Sequence, residues 1–224
     1  MDMKVIRHAA PLRHGVTDSI RNAIALGHFQ PGERLPERML CETTGVSRTL
    51  VREALRQLES EGLIDVVPHR GPVVATLSLK EAQDIYRVRA ELEGLAAELF
   101  ATDASEDARA RLVEAFEQLK VTAGSADSLE RLKAKNAFYD CLIKGAGNAA
   151  LGMSLHFLNS RIMLLRARSL QTPGRIEKSI AELGELVSSL MEKNSSKARA
   201  LAVAHVGKAA ALALEALGGN GLAA

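Results

Sequence analysis

Residues 36–76 constrain this chain more than any other stretch, because their texture changes every ten residues or so. Pro36 suits the first position of a short helix running to about Thr44. Gly45-Val46-Ser47 interrupts that helix, and Ser47 is a natural N-cap for another. Within the second helix Val51, Ala54, Leu55 and Leu58 fall at i, i+3, i+4 and i+7, which makes one apolar stripe. Gly62 closes it. Two β-rich runs follow, residues 63–67 and 72–76, joined through Pro68-His69-Arg70-Gly71 as a hairpin with a basic tip. Upstream, Val16, Ile20, Ala23 and Ile24 repeat at helical spacing as far as Gly27, and Pro31-Gly32 marks a tight turn. The order is helix, helix, turn, helix, hairpin, and the boundary of this first domain is set at residues 1–77.

From Ser78 the pattern is helical throughout, so residues 78–224 are predicted to form a second, all-α domain. Ser78 and Glu81 make a capping box. The helix they open has a predicted apolar stripe of Ile85, Val88, Leu92, Leu95 and Leu99. A second helix holds Leu112, Phe116 and Leu119, and a third spans residues 128–144 before Gly145. Asn148 suits the cap of a fourth through Leu151, Leu155, Leu158, Ile162 and Leu165, up to a break at Thr172-Pro173-Gly174. A fifth carries Ile176, Ile180, Leu183, Val187 and Leu190. Ser195 or Ser196 is the predicted cap of the last, which runs to about Leu217 before Gly218-Gly219. The fold class is therefore mostly α, an antiparallel helical bundle behind a small α/β module.

Composition narrows the function classes. A length of 224 residues accommodates two domains, and a net charge of +2 with 47% hydrophobic residues describes an ordinary globular chain. Cys41 and Cys141 lie a hundred residues apart, which excludes a disulfide framework and a cysteine zinc site and fits a reducing cytosol. No apolar run is expected to reach membrane-spanning length, and Met1-Asp2-Met3-Lys4 lacks the apolar core of a signal peptide, so a cytoplasmic protein is expected. Residues 1–76 carry ten basic and nine acidic side chains, so bulk charge says nothing about a nucleic-acid partner. The six histidines are scattered, with no Gly-rich phosphate loop and no nucleophile–base set beside them. An enzyme is not expected.

Two helices joined by a three-residue turn containing Gly make a helix-turn-helix, whose second helix suits the major groove. On that helix Arg48, Arg52 and Arg56 recur every four residues on a face separate from the buried stripe, and Thr49 stands at its N-terminal end. Arginine grips guanine O6 and N7 or a phosphate, while Ser and Thr hydroxyls suit phosphate oxygens. The opposing reading is a solvated face partly paired with Glu53 and Glu59. The runs Gly32-Glu33-Arg34-Leu35, residues 45–55 (GVSRTLVREAL) and Leu58-Glu59-Ser60-Glu61-Gly62-Leu63 resemble the winged helix-turn-helix of the GntR family of bacterial transcription regulators. The second block, opening with Tyr86-Arg87-Val88-Arg89-Ala90-Glu91-Leu92-Glu93, resembles the helical FCD effector domain of the FadR-like subfamily. The resemblance implies a homodimer on a palindromic double-stranded operator, with a small molecule in the helical domain altering DNA affinity. It places DNA contacts at Arg38, Ser47, Arg48, Thr49 and Arg52, and at the wing residues Arg70 and Gly71.

The resemblance also implies a divalent metal held by one Asp and three His. Aligned on Phe138, the expected Asp is Lys135 and the first His is Tyr139; Leu183 follows Glu182 where the second is expected, and only His205 matches. A frame shift to Asn136 or Asp140 adds no histidine. One ligand of four makes no useful divalent site, so no metal cofactor is expected. Lys135, Tyr139 and His205 are instead expected to form a polar cluster for a small anionic metabolite, with Arg89 or Arg161 as a carboxylate grip. Against this stand a Lys135 that reaches solvent, arginines tied up in salt bridges, and a His205 that is only a satisfied core residue or bonds Tyr139. On that view the helical domain dimerises around a non-functional pocket.

Overall fold

The computed structural model describes residues 10–169 and 174–218, with the side chains of residues 10, 11 and 166–169 left out. The signal-peptide reading at Met1–Lys4, the Thr172-Pro173 part of the expected break and Gly219 all lie outside the described residues. Among the described residues are nine helices and one two-stranded sheet. The chain divides into two compact units, Met1–Leu77 and Ser78–Ala224.

The first unit contains α1 (Ala10–Ala25), α2 (Glu37–Thr44), α3 (Arg48–Ser60), β1 (Ile64–Val67) and β2 (Gly71–Val74). Pro36 proves to be the N-cap of α2 rather than its first residue, and Gly45 ends α2 at a φ of 70°, where a side chain would be strained. Ser47 caps α3 by accepting from the Leu50 N–H. The apolar stripe of α3 is buried as expected at Val51, Ala54, Leu55 and Leu58. It packs with Val16, Ile20 and Ile24 of α1 and with Leu40 of α2. The bidentate ion pair between Arg21 and Glu61 ties α1 to the end of α3. Strands β1 and β2 pair antiparallel, Ile64 opposite Val74. The other edge of β2 is covered by residues 32–35, through Val74 N–H to Glu33 O and Leu35 N–H to Pro72 O. The Pro31-Gly32 turn thus leads into a short bridge on the sheet edge, beyond the turn expected from the sequence.

The second unit is a bundle of α4 (Leu79–Asp103), α5 (Glu106–Thr122), α6 (Ser128–Gly145), α7 (Ala149–Ser169), α8 (Arg175–Met191) and α9 (Ser195–Gly218). The Ser78/Glu81 capping box opens α4, and Asn148 caps α7 through the Leu151 N–H. The expected Ser195/Ser196 cap of α9 is corrected to Asn194, whose side chain accepts from the Lys197 N–H. Phe100, Leu112, Phe116, Phe138, Leu142 and Leu183 form the main core. The predicted α4 stripe is also corrected. Val88 is exposed, and the buried face is Ala82, Ile85, Tyr86, Arg89, Glu93, Ala96, Ala97 and Phe100. Leu92, Leu95 and Leu99 pack instead on a smaller core with Leu151 and Leu155. Small residues set this face because α9 approaches closely: a Cβ on Gly94 would lie 2.8 Å from Val203 Cγ2.

The expectation that no stretch reaches membrane-spanning length is corrected by α9, which is long and apolar enough by length and composition. Its apolarity comes from alanine. It carries Arg199, Lys208 and Glu215, and it buries Ala198, Ala202, His205 and Val206 within the bundle.

Candidate nucleic-acid interface and effector site

The α2–turn–α3 geometry presents Arg48, Thr49 and Arg52 at the exposed N-terminal end of α3. The local partner of the two arginines is neither Glu53 nor Glu59 but Glu37, the first residue of α2. Arg52 Nε donates to its two carboxylate oxygens at 2.8 and 3.0 Å, and Arg48 Nε stands 3.9 Å from the same group. The Glu37 hydrogen bond, then its charge, raise the Arg52 pKa above its ordinary value. Arg38 projects from α2, highly exposed, and pairs with Glu42 at 2.8 Å one turn on. Ser47 is exposed with its hydroxyl on the Leu50 N–H. At the wing tip His69 adopts φ 62° and Gly71 φ 81°, the left-handed geometry of a tight hairpin turn. Arg70 is folded back there, donating to the Gly32 carbonyl at 3.0 Å.

In the second unit α4, α6 and α9 bring together four of the five expected effector residues. Lys135 and Tyr139 are four apart on α6 and so share a face. Arg89 of α4 is buried, with its guanidinium 5.9 Å from the ring centres of both Tyr86 and Tyr139. Its Nε donates to Glu93 at 2.5 Å, and both side chains of that pair are buried. Burial opposes the charge of Arg89, but Glu93 and the two tyrosines more than offset it and raise its pKa. His205 of α9 is buried, and its Nδ1 lies 2.6 Å from the Glu182 carboxylate. Burial, followed by the positive charge of Lys135, pushes its pKa down to about 4 against the pull of Glu182. His205 is therefore neutral near pH 7, with its proton on Nδ1 donated to Glu182.

Sequence reasoning missed Glu93, Arg175 and Glu182. Glu182 accepts from Arg175 at 3.1 Å and from His205, and it pairs with Lys208 at 3.3 Å. Burial raises its pKa, but Arg175 and His205 outweigh burial and hold it below the ordinary value. An i, i+7 Arg–Glu spacing on α8 was the available signal. Leu183, at an implied ligand position, is a buried core residue. Arg161 stands apart: it lies on α7 with Nη2 3.8 Å from Glu81 at the start of α4. Among the described residues no three His, Cys, Asp or Glu gather in a way that could hold a metal ion.

Comparison with known proteins agrees with this geometry. Residues 12–74 match the family of bacterial regulatory proteins, gntR family, and residues 84–208 match the FCD domain. The chain is 29% identical over 189 residues to the uncharacterized HTH-type transcriptional regulator YdhC of Bacillus subtilis (strain 168), covering 84% of each. It is 29% identical over 135 residues to the HTH-type transcriptional repressor GlaR of Escherichia coli (strain K12), covering 58% of this chain and 60% of that one. The structure of E. coli McbR/YncC superposes with a TM-score of 0.80 at 23% identity over 90% of this chain and 96% of that one, a likeness of fold. With both of its units matched, the chain belongs to the GntR family of bacterial transcription regulators, is not an enzyme, and carries an FCD domain behind its winged helix-turn-helix.

Proposed function

We propose that this regulator acts in the cytosol as a homodimeric repressor on a palindromic operator, and that a small carboxylate metabolite held in the FCD domain without a metal changes its operator affinity. On the DNA side, α3 reads the major groove through Arg48 and Arg52. Ser47, Thr49 and Arg38 hold phosphates, and Arg70 and Gly71 approach the adjacent groove. The exposure of Arg38, Arg48 and Arg52 supports this, as does the name repressor carried by GlaR. Coupling follows if the carboxylate binds the released arrangement of the dimer better than the operator-bound one.

The observation that carries the effector half is the gathering of Arg89, Lys135, Tyr139 and His205: the Arg89 guanidinium lies 5.9 Å from the Tyr139 ring centre, Lys135 shares a face of α6 with Tyr139, and His205 lies within reach of the Lys135 charge. Burial, and after it the Lys135 ammonium built into α6, depresses the His205 imidazole pKa. The residues do not fit a divalent metal. Lys135 stands in the place of an anionic ligand, and Leu183 offers no donor atom. The Lys135 Nζ supplies the positive charge for a carboxylate and Tyr139 a donor hydroxyl, while the Nε2 of neutral His205 can only accept, from a donor group elsewhere on the metabolite. Arg89 is already committed to Glu93 and takes the lesser part; Arg161 would reach the carboxylate only after leaving Glu81.

Thermal shift against a panel of organic and sugar acids and divalent metals, with and without chelator, tests this. One class of carboxylate should raise the Tm of the wild type regardless of chelator. It should leave Lys135→Met unshifted while the unliganded Tm of that variant stays near the wild type. Stabilisation by metal that chelator removes refutes the metal-free site. The internal satisfaction of Arg89 by Glu93, and of Glu182 by three donors, favours a second reading in which the FCD domain only dimerises. Silence across the panel supports that reading.

A further inference from the structure

Glu37 has no part in the DNA contacts proposed above, yet its carboxylate holds Arg52 and stands 3.9 Å from Arg48 at the start of α3. We infer that Glu37 is the positioning residue for guanine recognition: it grips Arg52 Nε so that the two terminal nitrogens of the guanidinium face outward as a guanine-reading fork. The grip is fixed by the fold rather than by one flexible helix turn. The pair spans fifteen residues, from the first residue of α2 to the second turn of α3. The Glu37 side chain is only 27% exposed, behind a Pro36 whose φ of −65° sets the helix entry. Arg38–Glu42 shows the contrast, an i, i+4 pair in which both members are well exposed.

The chemistry favours a base over a phosphate at Arg52. With both carboxylate oxygens on Nε, the nitrogens left over are Nη1 and Nη2, which match guanine O6 and N7. The rotamer freedom of a long side chain is removed before DNA arrives, which is what preorganisation supplies. A phosphate needs no such orientation and would be repelled by the Glu37 charge. Arg48 lies beyond hydrogen-bond range of Glu37 at 3.9 Å and keeps more of its rotamer freedom. One carboxylate thus sorts two similar arginines into a base reader and a less constrained neighbour.

The test uses the full chain. Wild type selects bound sequences from a pool of duplexes randomised at the centre. The selected duplex, each of its single base-pair changes and a scrambled duplex of equal length are then titrated at one salt concentration. Glu37→Gln should bind the scrambled duplex more tightly and lose roughly tenfold in the ratio of selected to scrambled binding, with the loss concentrated at one G·C pair. Arg52→Met should erase the preference at that same pair, and adding Glu37→Gln to it should change nothing further there. Equal tightening on both duplexes with every base preference kept overturns the inference, since Glu37 would then only compete with DNA. Equal weakening on both with a lowered Tm overturns it too, by assigning Glu37 a structural role. Glu37→Ala must reproduce the Gln result.

Discussion

Arg109 makes the helical unit's most concentrated set of buried polar contacts, and its replacement by methionine has a calculable cost. The guanidinium is buried between the ends of α4 and α8. Nε donates to Ala104 O at 3.2 Å, Nη2 to Phe100 O at 3.3 Å and Ala101 O at 2.8 Å, and Nη1 to Leu190 O at 2.6 Å. A cation at two helix C-termini also opposes the negative ends of both dipoles. Phe100 and Leu190 keep backbone donors from Ala104 and Lys193 after the change, whereas Ala101 and Ala104 lose theirs. Orphaning a buried acceptor costs about 1–3 kcal/mol. Methionine fills much of the buried stem and escapes the cost of burying a charge, which keeps the sum near the low end. Arg109→Met should therefore lose about 3 kcal/mol, roughly 6–12 °C in Tm for a unit of this size. Thermal unfolding by far-ultraviolet circular dichroism measures it. Arg111→Met is the control, because Arg111 sits two residues on in an exposed pair with Asp107 and should change stability by about 0.5 kcal/mol or less. An Arg109→Met Tm within about 2 °C of the Arg111→Met value would refute the argument.

Other outcomes follow from single contacts. His205 titrates near 4 in the folded chain against 6.5 for the free imidazole, so the unfolded state binds the proton first. Stability is therefore lost as pH falls from about 7 toward 4, by about 3 kcal/mol in total, and denaturant midpoints across that range should flatten in His205→Gln. Arg52→Ala should weaken operator binding by roughly 1–3 kcal/mol, mostly at one base pair; a uniform loss across sequences would mean a phosphate contact. A Cβ at Gly145 would meet Phe100 Cε2 at 2.3 Å, so Gly145→Ala should destabilise by about 1–3 kcal/mol, while Gly124→Ala, with open space, should not; equal Tm values would contradict the packing.

Residues 36–76 were legible because each signal there is local. A cap three residues from its donor, a stripe within two turns and a turn containing Gly each name one element, and together they order α2, α3 and the wing. The stripe on α4 failed for a physical reason. Periodicity follows large apolar side chains, but α4 meets α9 at Gly94, packs Ala97 in the main core with Ala198 and Ala202, and buries the charged pair Arg89–Glu93. Leucines 92, 95 and 99 then turn to a second, smaller core. A helix contacted on several sides has no single stripe to find. The partners that shape both sites are separated by fifteen residues for Glu37–Arg52 and twenty-three for Glu182–His205, and no spacing rule covers such pairs.

The Glu182–His205 pair bears directly on the missing ligands. A carboxylate on one imidazole nitrogen, fixing the tautomer and aiming the other nitrogen inward, is the arrangement of a metal-ligating histidine. A pKa near 4 is equally compatible with ligation, since the ring is neutral at any pH where metal binds. Neither property of His205 therefore separates a metal site from a metal-free one; the metal-free proposal rests on its surroundings. Lys135 acts on the imidazole as a cation and leaves no anionic ligand in that position, and Leu183 closes another with a buried hydrocarbon. What persists is an oriented, neutral acceptor beside a fixed positive charge. On the proposed reading the positive charge of Lys135 suits a carboxylate without any dependence on metal supply, and this is why insensitivity to chelator, rather than ligand binding alone, discriminates the proposed site from a metal-dependent one.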